Sequence, residues 1–119
     1  MARGVLEYFP DALAEVAFVS FVGNMKHNPG QELHWSKGKS DDHADCVIRH
    51  LASRGKWDIV EIDGKAYSIR HSAYAAWRAL ANLQIEIETE NKRQIIGQSP
   101  PEGYVFDPTL ASLERFNAK

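Results

Sequence analysis

A mainly α-helical domain is the fold class this sequence predicts: a small helical bundle with one short β-hairpin, associating with further copies of itself through its first helix. Three observations predict it. Apolar residues recur at helical spacing in three separate stretches, between about Asp11 and Lys26, Ser40 and Gly55, and Arg70 and Glu88. Between the second and third of these, Trp57 to Ile69 changes to β-branched alternation around Asp63-Gly64, a two-residue hairpin signal. The first helix carries Leu13, Val16, Ala17, Phe18, Val19, Phe21 and Val22 almost all the way round its circumference. A domain this small does not cover such a helix alone, which predicts an obligate oligomer, most simply a dimer.

Pro10 suits a first helical turn, so the first helix opens there and runs from Asp11 to about Lys26. Glu15 is its one interior carboxylate, placed where the helix dipole favours it. Composition changes from Gly23 to Ser40, where Asn28-Pro29-Gly30 and Gly38 predict a loop. That segment carries Lys26, His27, His34, Trp35, Lys37 and Lys39. Cations suit phosphate and a flat indole suits a base. The segment lacks the spacing of a P-loop, and lysines in a loop are commonly just solvated.

Ser40 reads as the N-cap of the second helix, with Asp41 and Asp42 in its first turn and Gly55 near its C-terminal end. Ala44, Val47, Ile48, Leu51 and Ala52 form its expected core face. Asp42, Asp45, Cys46 and Arg49 share another side, and His43 and His50 a third. Asp42 and Asp45, three apart, suit a magnesium ion. The same acids equally suit the helix dipole and an Asp45–Arg49 pair. His43 and His50 are two turns apart, which argues against a zinc pair on this helix.

The third helix organises the chain. Ala73, Ala76, Trp77, Leu80, Leu83, Gln84 and Ile87 make one broad side, and His71, Ala75, Arg78, Asn82 and Ile85 lie opposite. A polar tail from Glu88 to Arg93 follows. A break at Ser99 to Gly103 and a last short helix from Asp107-Pro108 to about Phe116 complete the chain.

With 119 residues the chain is one domain, able to bury roughly two thirds of its unfolded surface. A net charge of −2, from 14 basic and 16 acidic residues, gives no general attraction to duplex nucleic acid or anionic membrane. One cysteine, Cys46, forms neither an internal disulfide nor a cysteine zinc cluster, which fits a reducing cytoplasm. No signal peptide is evident, and the longest apolar run, Val16 to Val22, is too short to span a bilayer. A cytoplasmic location is the expectation.

The ordered motifs Val22-Gly23-x-x-Lys26-His27-Asn28-Pro29-Gly30, Trp35 with Gly38, Arg49-His50, Asp63-Gly64, and Arg70-His71-Ser72 leading into Ala75-Ala76-Trp77-Arg78-Ala79-Leu80 resemble a family. It is the phage-borne family named for the dATP/dGTP diphosphohydrolase N-terminal domain, and the likeness covers Leu6 to Glu88. That family looks similar to the all-α MazG-like pyrophosphohydrolases. The resemblance implies a helical oligomer in a host cytoplasm, magnesium, and cleavage of a nucleoside triphosphate, a purine one favoured, to monophosphate and pyrophosphate. It implies Asp42 and Asp45 as metal ligands, with Glu15 completing a catalytic set. Lys26, His27, Trp35, Lys37, Arg49, His50, Arg70, His71, Trp77 and Arg78 would then hold the nucleotide. MazG-like enzymes use two carboxylates on each of two helices; here Glu15 stands alone in the first helix, and the third has Arg78 or Asn82 where an acid is expected. Two other readings therefore stand beside the hydrolase. One is a catalytically silent protein that sequesters a nucleotide or a cyclic-nucleotide immune signal, and the other is an interaction module built around the first helix.

Overall fold

Pro10 occupies the first turn of α1 (Pro10–His27), where a proline's missing N–H is no loss, with Asp11 beside it and Lys26 and His27 in the last turn. The computed structural model describes residues 2–93 and 102–107. A short π-helical segment, Ala2–Leu6, leads into α1. The helix runs straight through Gly23, so Lys26 and His27 belong to it and the following loop begins only at Asn28. One interior glycine costs about 1 kcal/mol. The further turn it permits packs Met25 against the core of Val22, Ile69 and Ala73, which offsets that penalty.

The loop 28–42 contains one 3₁₀ turn, Lys37–Lys39. Ser40 does not cap α2 (His43–Ala52); the N-cap position belongs to Asp42, whose carbonyl accepts from the Cys46 N–H at 3.0 Å. The Asp42 side chain caps nothing, because its carboxylate is turned toward Arg49 and Arg78. Gly55 sits in the turn beyond the helix at φ +85°, the left-handed region open to glycine.

Strands β1 (Trp57–Ile62) and β2 (Lys65–Arg70) pair antiparallel, with Val60 opposite Tyr67 and Asp58 opposite Ile69. Asp63 and Gly64 form the turn at φ 52° and 78°, the two positive values a type I′ hairpin needs. Arg70 closes β2 rather than opening the helix, and α3 (His71–Arg93) begins one residue later. Residues Glu88 to Arg93, expected as a polar tail, continue α3. Bonds four residues apart support its polar end, from Gln84 to Glu88 and from Thr89 to the Ile85 carbonyl. The expected helix from Pro108 to Phe116 lies outside the described residues, as does most of the Ser99 to Gly103 break.

Val22, Ile69 and Ala73 are the buried centre, packed by Phe18, Val19, Met25, Val60, Ile62, Tyr67 and Tyr74. The core face expected of α2 is corrected: its buried residues are His43 and Cys46, while Ile48 and Leu51 are 68% and 46% exposed. In α3 both sides bury residues, Ala73 on the broad side and Ala75 on the opposite one, with Ala81 buried and Trp77 and Arg78 half-buried, while Leu80 and Leu83 are both 53% exposed. The reason is a single packing choice: α2 lies on the polar stripe of α3, where His71 and Arg78 find partners, and small alanines let the two backbones approach. The fold is thus a small, mainly helical domain with a two-stranded antiparallel hairpin. No helix among the described residues is long and apolar enough to cross a membrane.

Candidate functional site

A cleft of about 1220 Å³ lies between α1 and α3 and is bounded at one end by the loop 28–42 and the start of α2. Its aromatic end is built from three elements. Trp77 from α3 is held by its indole N–H, which donates to Ser20 Oγ of α1 at 2.7 Å. Trp35 from the loop meets Trp77 edge to face, ring centres 5.5 Å apart. His43, in the first turn of α2, stands 6.5 Å from Trp35 and 6.2 Å from Trp77. The loop is tied down by Asn24, whose Oδ1 accepts from the His34 N–H, and by Lys37, which pairs with Glu88 at 2.8 Å.

Next to the aromatics lies a charged knot. Arg78 Nη1 donates to His43 Nδ1 at 3.0 Å and reaches Asp42 at 3.7 Å, and Arg49 meets the other Asp42 oxygen at 3.7 Å. Cys46 Sγ accepts from Arg49 at 2.8 Å. Guanidinium only donates, so Nδ1 of His43 carries the lone pair and Nε2 carries the proton. Burial first, then Arg78, hold the His43 pKa below its ordinary value against the opposing pull of Asp42 and Asp41. His43 is 5% exposed, and its buried Nε2 has no hydrogen-bond partner among the described residues. An orphaned buried donor costs about 1–3 kcal/mol.

A second cluster sits farther along the α2–α3 seam. His50 and His71 face each other Nδ1 to Nδ1 at 3.0 Å, so one ring donates and the other accepts. Tyr74 stacks on His50 at 4.8 Å and donates to Asp58 Oδ2 at 2.8 Å. Burial, then His71, Arg49 and Arg78, lower the His50 pKa, and Asp58 works against them. Burial and the bond to Asp58 raise that of Tyr74.

The structure brings Lys26, His27, Trp35, Trp77 and Arg78 to the one cleft, with His43, Asn24 and His34. Lys37 lies over Trp35 at 5.2 Å, while Arg49 supports Asp42 from behind. His50 and His71 belong to the seam. Arg70 is apart from these groups: it pairs with Glu15 at 3.0 Å and covers Trp57 at 4.2 Å. Glu15 accordingly lines a smaller cleft with Phe18, Trp57 and Ser68. Asp45 is exposed on α2.

These carboxylates do not fit a magnesium ion within one chain. Both oxygens of Asp42 face arginines, Glu15 is taken by Arg70, and no group of three or more His, Cys, Asp or Glu among the described residues could hold a metal. Comparison with family models, curated proteins and solved structures finds no match. The resemblance drawn from the motifs therefore rests on those motifs alone.

Sequence reasoning passed over His43 and Asn24 as site residues. His43 had one usable signal, its place at the start of a helix, seven residues before His50 and beside two acids. Nothing in the pattern showed that it would meet Arg78, 35 residues on.

Proposed function

We propose that this protein binds a nucleotide in the α1–α3 cleft and holds it without hydrolysing it. The observation that carries this reading is the meeting of Trp35, Trp77, His43 and Arg78 at one end of a cleft whose rim also carries Lys26 and His27. Indole rings offer stacking to a base of either size, a purine gaining more contact area than a pyrimidine. Arginine, lysine and imidazole offer charge-assisted bonds to phosphate oxygens. Arginines already face the carboxylate that would anchor a metal, so the site favours gripping phosphates over activating water. A binder of this kind would sequester a linear or cyclic nucleotide, which fits the phage-type motifs.

Association of copies belongs to the same reading. Phe21 on α1 is 52% exposed, and Leu80 and Leu83 on α3 are 53% exposed. Apolar residues of this size, left open on the two helices that flank the cleft, support a second copy packing across α1.

The test is a panel of ribo-, deoxyribo- and cyclic nucleotides incubated with the protein, with and without magnesium, then analysed by chromatography. Stoichiometric recovery of an intact nucleotide from the protein is the expected result. Conversion of a triphosphate to monophosphate and pyrophosphate with magnesium would establish the pyrophosphohydrolase instead, and retention of no nucleotide would remove both readings.

A further inference from the structure

We propose that the Nε2–H of His43 is the group that reads the base in this cleft, donating to a ring nitrogen or carbonyl acceptor on a nucleobase. The inference rests on the nucleotide-binding reading and adds to it the atom that supplies discrimination. Two independent facts meet at this imidazole. Arg78 donates to Nδ1 at 3.0 Å and so fixes the tautomer, leaving Nε2 as a permanent donor. That donor is buried, has no partner, and belongs to a residue 5% exposed that lines the cleft.

Buried donors in folded proteins nearly always have acceptors, so one without a partner beside a cleft points to an acceptor that arrives with a ligand. The setting selects its chemistry. Trp35, Trp77 and His43 form a triangle of rings, the indoles 5.5 Å apart and the imidazole 6.5 and 6.2 Å from them, an aromatic cluster that suits a flat heteroaromatic partner presenting its edge to His43. A phosphate oxygen is the weaker candidate, because Arg78 and Lys26 bring positive charge to the same cleft and bind it better, while Asp58 lines the cleft as well. Since Nε2 has no solvent contact, a neighbour must move for the base to reach it. Of the two indoles, Trp35 stands on residues 31–36, neither helix nor strand and tethered beside it at His34 and Lys37, so its side chain must swing on that loop, whereas Trp77 is fixed in α3 and bonded to Ser20.

The experiment measures affinities of the four deoxynucleoside triphosphates, of inorganic tripolyphosphate, and of a triphosphate carrying indole in place of the base, flat but without acceptors. These are compared for the wild type, His43→Phe and His43→Gln. In the wild type the best nucleotide should bind about tenfold tighter than the indole analogue, the weight of one hydrogen bond of about 1.4 kcal/mol. His43→Phe should abolish that difference, so that the nucleotide binds no tighter than the indole analogue. His43→Gln, which keeps an acceptor for Arg78 and a donor for the base, should retain it. Equal wild-type affinity for nucleotide and indole analogue would overturn the proposal even if His43→Phe did not fold. So would an equal loss of tripolyphosphate and nucleotide in a folded His43→Phe protein, which would assign His43 to phosphate. Failure of the wild type to bind any of these probes would instead remove the nucleotide reading itself, and this proposal with it.

Discussion

Stability should fall as pH drops from 7.5 to 5.5, with the His50–His71 contact as a main cause. Two imidazole nitrogens 3.0 Å apart share one proton between them; a second proton would set two N–H donors face to face. The surroundings do not relieve this, because Arg49 on α2 and Arg78 on α3 repel a charged His50 and only Asp58 on β1 attracts it. A histidine whose pKa is lowered on folding contributes stability that is fully present above its unfolded value of about 6.5 and declines as pH falls toward the folded value. Across pH 7.5 to 5.5 one such group removes at most about 1.4 kcal/mol. His43 is shifted in the same direction, so the ceiling for the two is about 2.7 kcal/mol. For a domain near 100 residues that ceiling is a fall in Tm on the order of 10–20 °C, and the partial solvent contact of His50 keeps the real figure below it. Thermal melts followed by circular dichroism at pH 7.5, 6.5 and 5.5 read it directly. Most carboxylates titrate below this window and leave it clear. His50→Gln should remove up to half of the pH dependence. A level Tm across the window, or a His50→Gln protein as pH-sensitive as the wild type, would refute the reasoning.

Tyr74→Phe removes a 2.8 Å hydrogen bond to a carboxylate and should lower unfolding free energy by about 1.5–3 kcal/mol in urea melts at pH 7.5, the range for bonds to charged groups. Gly64→Ala should destabilise by about 1 kcal/mol through backbone strain alone, because φ is +78° and a Cβ there would touch nothing within 4 Å. An unchanged denaturation midpoint would argue against a type I′ turn. Sedimentation at micromolar concentration should show a dimer or larger assembly, and Leu83→Glu should shift it toward monomer; a monodisperse wild-type monomer would defeat the expectation.

How far the sequence was legible depends on what each signal measures. The hairpin was legible almost to the residue, because Asp63-Gly64 is a local conformational demand and the alternation around it fixes the register. The start of α1 was equally plain from Pro10. Its end, expected at about Lys26, falls at His27; the loop signal read from Gly23 onward was premature, because the turn after that glycine packs Met25 on the core. The cap of α2 moved from Ser40 to Asp42 for a tertiary reason: Asp42 is placed by two arginines, one of them on α3. For the site, residue type grouped Lys26, Trp35, Trp77 and Arg78, and these four line one cleft. It did not foretell that Arg70 and Glu15 would neutralise each other away from the cleft, because a pair separated by 55 positions leaves no periodic trace.

The faces of α2 and α3 carry the most information. Periodicity shows that a helix has an apolar side but not what that side meets. In this chain the polar sides of α2 and α3 meet each other, through His50–His71 and Arg78–His43. The apolar sides go elsewhere: Ile48 and Leu51 on α2 are exposed, while on α3 Ala73 enters the core and Leu80 and Leu83 line the cleft beside α1. Among the described residues no large side chain is fully buried, so the single chain closes only a thin core around Val22, Ile69 and Ala73. A buried polar seam is an expensive thing to build for stability alone, since each desolvated imidazole or guanidinium gains little over the water it gives up. What the seam supplies is position: it fixes the tautomer of His43 through Arg78 and sets that ring against two indoles. The sequence departs from the simplest folding pattern at the residues that hold this donor, and such departures concentrate where a protein binds or reacts, which is why the proposal is tested there.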